Sequence, residues 1–74
     1  MKTPTELALR GDHITLDALL KATGLAGSGG EAKMLIGEGA VRVNGEVDTR
    51  RGRKLRVGDV VVTGAAQVRV VAGG

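Results

Sequence analysis

The sequence predicts an α+β domain, with two short helices in its first half and a series of short strands in its second. Three observations carry this. Leucine gives way to valine along the chain, and leucine suits helices whereas β-branched valine suits strands. A serine-capped helical stripe opens at Ser28. An Asn44-Gly45 pair then stands between alternating valines, the strongest short-range signal for a hairpin.

The elements follow in order. Leu7 and Leu9 alternate with Glu6 and Ala8, which predicts a strand over 6–9 closed by a turn at Gly11-Asp12. Leu16, Leu19 and Leu20 lie at helical spacing. Thr15 is placed to cap that helix, Asp17 favours its first turn, and Gly24 is placed to end it in a left-handed conformation. His13 falls at the boundary between turn and helix. Ser28 followed by Glu31 predicts a reciprocal capping box, with the Glu31 carboxylate returning to the Ser28 amide. Ala32, Leu35 and Ile36 form the stripe of this second helix, and Gly39 stops it. The short link between the helices predicts an αα-hairpin.

Val41 and Val43 then enter the Asn44-Gly45 turn, and Val47 continues on the return strand. Residues 50–54 read as a loop around Gly52. Leu55 and Val57 alternate before a turn at Gly58-Asp59. Val60 to Val62 reads as a buried strand, Val68 and Val70 mark the last one, and 72–74 reads as a loose tail.

The chain of 74 residues is read as one domain, 1–74, with an aliphatic core, since Phe, Tyr and Trp are absent. Cysteine is absent too, which excludes disulfides, thiolate metal sites and cysteine nucleophiles. The single serine and single histidine offer no plausible catalytic pairing. The acids are scattered rather than clustered for a metal. The chain is therefore read as a non-enzyme with no cofactor and no metal. Without a membrane-spanning apolar run or a signal-peptide pattern it is expected in the cytoplasm, as a monomer.

The formal net charge is +3, all of it arising after residue 30. Arg42, Arg50, Arg51, Arg53, Lys54 and Arg56 face only Glu46 and Asp48 within 42–56. That imbalance points to an anionic partner. Arg50, Arg51 and Arg53 can each offer a fork to phosphate. Gly29 and Gly30 fall where a helix leaves backbone amides unpaired, so Ser28, Gly29 and Gly30 form a candidate phosphate site, with Lys33 one turn further on.

The run T-L-D-A-L-L, then G-L-A-x-S-G-G-E-A-K-x-L-I-x-E-G-x-V-x-V-N-G-E-V, then a basic loop and V-G-D-V-V, resembles the RNA-binding domain named after ribosomal small-subunit protein S4, the alpha-L motif. More narrowly, it is similar to the small stand-alone members. The resemblance covers roughly residues 13–62. It implies a two-helix hairpin packed on a small, mainly antiparallel sheet. It also implies binding of structured RNA, ribosomal or transfer RNA, and association with the ribosome. Many members carry a basic residue where this chain has Thr15, and arginine where it has Gly29. The expected contacts therefore shift to Lys33, Arg42, Asn44, Arg50, Arg51, Arg53 and Lys54.

Two other readings stand beside it. The Gly73-Gly74 ending and V-N-G-E-V followed by G-D-V-V also resemble small ubiquitin-like sulfur carriers, which use a terminal Gly-Gly carboxylate. An adaptor that pairs with a partner strand along an exposed edge at 66–71 is the other.

Overall fold

The structure, a computed structural model, describes residues 5–73. Its elements are β1 (Thr5–Leu9), β2 (Ile14–Thr15), α1 (Leu16–Ala22), α2 (Gly29–Gly37), β3 (Val41–Val43), β4 (Glu46–Val47), β5 (Lys54–Leu55), β6 (Val60–Thr63) and β7 (Ala66–Ala72). Five strands form one sheet in the order β1-β7-β6-β3-β4, antiparallel except for β1 alongside β7. The helices pack against each other and against one face of this sheet. Leu16, Leu19, Leu20, Ala32 and Ile36 meet Val41, Val43, Val61, Val68 and Val70 in a single aliphatic core.

The predicted α+β architecture is the observed one. Asn44 and Gly45 have φ of 53° and 87°, the left-handed values that a tight hairpin requires. Gly24, at φ 78°, follows α1 as expected, and the Thr23 hydroxyl donates to the Leu19 carbonyl at 2.8 Å to close the helix end.

Several local expectations are corrected. Thr15 occupies the capping position of α1, but its hydroxyl donates to Asp17 Oδ1 at 2.7 Å instead of accepting a helix amide. That same oxygen accepts from the Ala18 amide at 2.8 Å. The capping box is half made. Ser28 Oγ accepts from the Glu31 amide, while Glu31 Oε1 takes the amide of Gly27, one residue earlier than predicted. Leu35 is half-buried and not part of the fully buried stripe.

A second, two-stranded ladder pairs Ile14 with Leu55 and Thr15 with Lys54. Lys54 therefore belongs to a strand and not to the loop. Val57 lies in a turn and is 57% exposed, so it does not continue the strand begun at Leu55. Of Val60 to Val62 only Val61 is buried. The reason is the two-layer architecture: pleating sends Val60 and Val62 to the sheet face that the helices leave open.

The adaptor reading fails on geometry, and the chain is strand or tightly packed through Gly73, not the loose tail expected there. Ala72 pairs with Leu9 in the β1–β7 ladder, so the expected loose tail is strand up to that point. Gly73 packs so closely on Leu9 that a side chain there would collide with the Leu9 carbonyl. Gly74 lies outside the described residues. β7 runs between β1 and β6, which leaves no free edge at 66–71.

Candidate nucleic-acid interface

The segment from Asp48 to Arg53 is organised around one carboxylate. Asp48 is only 6% exposed. Its Oδ1 accepts from the Arg50 amide at 2.9 Å and from Arg50 Nε at 3.1 Å. Its Oδ2 accepts from Arg50 Nη2 at 3.0 Å and Arg53 Nη1 at 2.7 Å. The Arg50 side chain holds the Asp48 carboxyl far below the usual carboxylate range, with the Arg50 amide and Arg53 acting in the same direction against the cost of burial.

This corrects the expectation of three independent arginine forks. Arg50 and Arg53 are engaged by the chain's own carboxylate, and among the described residues these are the only ion pairs. Both keep outward-facing donors. The Arg50 side chain is 70% exposed and that of Arg53 is 32% exposed.

The same loop docks on α1. The amides of Leu16 and Asp17 donate to the carbonyls of Arg53 and Arg51 at 2.9 and 3.1 Å. Helix amides that would otherwise lack partners thus fasten the basic loop to the helix start. Asp17 lies within electrostatic reach of both Arg51 and Lys21; the Thr15 hydroxyl, more than either cation, lowers its pKa. Lys21 is one turn beyond Asp17 and runs toward α2. A Cβ added to Gly29 would meet Lys21 Cδ at 3.9 Å and Nζ at 4.0 Å. Lys33 sits one turn above Gly29 and Gly30 on the exposed side of α2.

One face of α1 therefore joins two candidate sites that are far apart in sequence. Arg51 and Lys21 both lie within electrostatic reach of Asp17, Lys21 reaches Gly29 at the start of α2, and Lys33 is one turn further along that helix. Arg50, Arg53 and Lys54 flank Arg51 on the loop and on β5. Lys21 was missed by sequence reasoning. Only the packing of α1 against α2 brings its ammonium to Gly29.

Two expected residues lie elsewhere. Arg42 is cross-strand from Val47 and Val62 on the open face of the sheet, opposite the helices. Asn44 has its side chain committed to the fold: Nδ2 donates to Asp59 Oδ1, and its oxygen accepts from the Val60 amide, both at 3.0 Å. Burial alone would raise the Asp59 pKa, but the Arg56 amide and Asn44 Nδ2 hold it below the ordinary value. Asn44 is thus a clasp for the hairpin.

The depressed carboxyls fix a pH dependence. Each contributes stability that is complete above its unfolded pKa, about 3.9, and is lost as pH falls toward the folded value. The melting temperature should hold from pH 7 to about 5 and then fall progressively below about pH 4. Asp48→Asn should flatten that acid limb, as read by thermal denaturation between pH 2 and 7.

Among the described residues there is no group of His, Asp or Glu poised for a metal, and no helix long and apolar enough to cross a membrane.

A family model described as S4 domain matches residues 7–71. The chain is 49% identical over 61 residues to the probable ribosome maturation protein RlbA of Bacillus subtilis (strain 168), covering 81% of this chain and 86% of that one. It is 43% identical over 60 residues to the putative RNA-binding protein YbcJ of Escherichia coli (strain K12), with the same coverages. The solution structure of E. coli YbcJ, described as revealing an alpha-L motif involved in RNA binding, superposes with a TM-score of 0.74 at 38% identity. That match covers 97% of this chain and 92% of YbcJ.

Proposed function

This chain belongs to the S4 domain family, and from that premise we propose that it is an RNA-binding protein which grips structured RNA, ribosomal RNA foremost, by its sugar-phosphate chain. The observation that carries the reading is the succession of Arg51, Asp17 and Lys21 to Gly29 at the α2 start, with Lys33 one turn further on. Among the described residues, no carboxylate forms an ion pair with any of these three cations. The kinship with a protein named for ribosome maturation favours ribosomal over transfer RNA.

The binding mode follows from what the side chains can do. With no Phe, Tyr or Trp the chain lacks the aromatic platforms on which single-strand binders stack successive bases. Cations and helix-start amides contact phosphates, which position a protein but carry little sequence information. The preference is therefore for shape, such as a junction or bulge. If about four phosphates are engaged, log K should fall against log salt with a slope of roughly −3 to −4.

Crosslinking the protein in cells and sequencing the attached RNA tests the partner. Reads concentrated at helical junctions of ribosomal RNA are expected. Reads dominated by transfer RNA would move the proposal to that partner. Crosslinks spread evenly over messenger RNA would overturn shape recognition.

A further inference from the structure

We infer that Asp48 is a positioning residue for RNA: a buried latch that holds Arg50 and Arg53 as a preset pair of phosphate forks, so that removing its negative charge weakens binding to a polyanion. The inference rests on the RNA reading above and deepens it.

A guanidinium carries five N–H donors in a rigid plane. Arg50 commits Nε and one Nη2 hydrogen to Asp48, which fixes the plane and leaves three donors directed away from it. Arg53 commits a single Nη1 hydrogen and keeps four. Both arginines are thus ordered before any ligand arrives. An unattached arginine loses much of its rotamer freedom on contact. Fixing the forks on the protein moves that loss from binding to folding.

Burial alone does not call for this arrangement. A single bidentate arginine and the Arg50 amide would already satisfy much of the carboxylate's hydrogen-bonding capacity. The second arginine completes it, and the pair then presents two forks with a combined charge of +1. That charge is low enough for two neighbouring guanidinium groups to coexist, yet they retain seven donors for phosphate oxygens. The loop carrying them is also fastened to α1 through the Arg51 and Arg53 carbonyls, beside Arg51 itself.

Simple charge counting makes the opposite prediction. Asp48→Asn adds one positive charge and should tighten binding several-fold at low salt. The latch predicts at least a tenfold loss, with a salt slope shallower by about one. The test uses the full chain and deproteinised ribosomal RNA, with affinity measured across a salt series. Amide NMR spectra of the variant establish that β3, β6 and β7 are intact. A second variant guards against misfolding: Arg50→Lys with Arg53→Lys keeps every charge but loses the forks, and should lose at least tenfold as well. Combining the Lys pair with Asp48→Asn should add little further loss, because both disable one unit.

Equal or tighter binding by Asp48→Asn overturns the latch and makes the carboxylate a competitor of phosphate. Undiminished binding by the Lys pair overturns it too. Failure of the unmutated chain to bind removes the RNA reading itself, a result distinct from either.

Discussion

Replacing Lys21, Lys33 and Arg51 together by glutamine is expected to weaken binding to structured RNA by about 100-fold at moderate salt. Each contributes on the order of 1 kcal/mol through a charge-assisted phosphate contact, and about 3 kcal/mol together corresponds to that factor. The slope of log K against log salt should shrink by about two to three. All three side chains are exposed and none forms an ion pair among the described residues, so the fold should be retained. Fluorescence anisotropy with labelled RNA measures the affinity, and circular dichroism measures the fold. Reversal of Arg50, Arg51 and Arg53 to glutamate would be a poor substitute. It would strip a buried carboxylate of its partners and place three more beside it, confounding RNA affinity with stability.

The other large effect concerns the core. Leu20→Ala should cost about 2–5 kcal/mol, since Leu20 is completely buried at the junction of α1 with the sheet. A 74-residue domain has a total stability of roughly 4–11 kcal/mol. At about 4–8 °C per kcal/mol, the melting temperature should drop by on the order of 10–40 °C. No aromatic ring is present to fill the space, and the neighbouring Leu16 and Leu19 are themselves fully packed. Thermal denaturation followed by circular dichroism reads the shift. A drop of only a degree or two would mean that α1 contributes little to the folded state.

The contrast between these two variants reflects how the molecule is divided. One face of the helix pair meets the sheet and holds the fold, while the other carries the cations. α1 serves both purposes at once. Its Leu16, Leu19 and Leu20 are buried, and its Asp17 and Lys21 form the bridge between the basic loop and the start of α2. Damage to α1 should therefore remove binding together with stability, whereas the glutamine variant should separate them.

Much of this was legible in the sequence because it is local. The leucine stripe of α1, the Ser28 cap, the Asn44-Gly45 turn and the valine alternation depend on residues within a few positions of one another. The β2–β5 ladder was not legible, because two residues per strand carry no periodicity. Nor was the open sheet face: alternation shows that Val60 and Val62 share a side, not that the helices leave that side uncovered. The half-formed capping box was missed because a one-residue shift in the amide that Glu31 accepts costs almost nothing in a loop.

The candidate site divided along the same line. Ser28, Gly29, Gly30, Lys33 and the basic loop are proposed from charge and helix-end logic, which needs only local sequence. Arg42 lies on the open sheet face, away from the helix pair, which strand alternation alone does not reveal. The Asn44 side chain is spent on Asp59 and Val60, fifteen or more residues away, a long-range pairing that local sequence does not show. Lys21 and Asp48 were passed over. The position of Lys21 depends on helix packing. Asp48, counted by charge alone, merely subtracts from the basic segment, whereas in the fold it lies buried and bonded to two arginines.

Where RNA sits on the molecule can be read from a nitrogen-15 NMR titration of the chain with deproteinised ribosomal RNA fragments. Binding along the helix pair should shift or broaden the amides of Gly29, Gly30, Lys33 and residues 50–53 together, while those of Arg42, Gln67 and Arg69 on the open sheet face stay unchanged. Perturbation confined to that open face, with the α2 start and the Asp48 loop unmoved, would contradict the helix-pair interface.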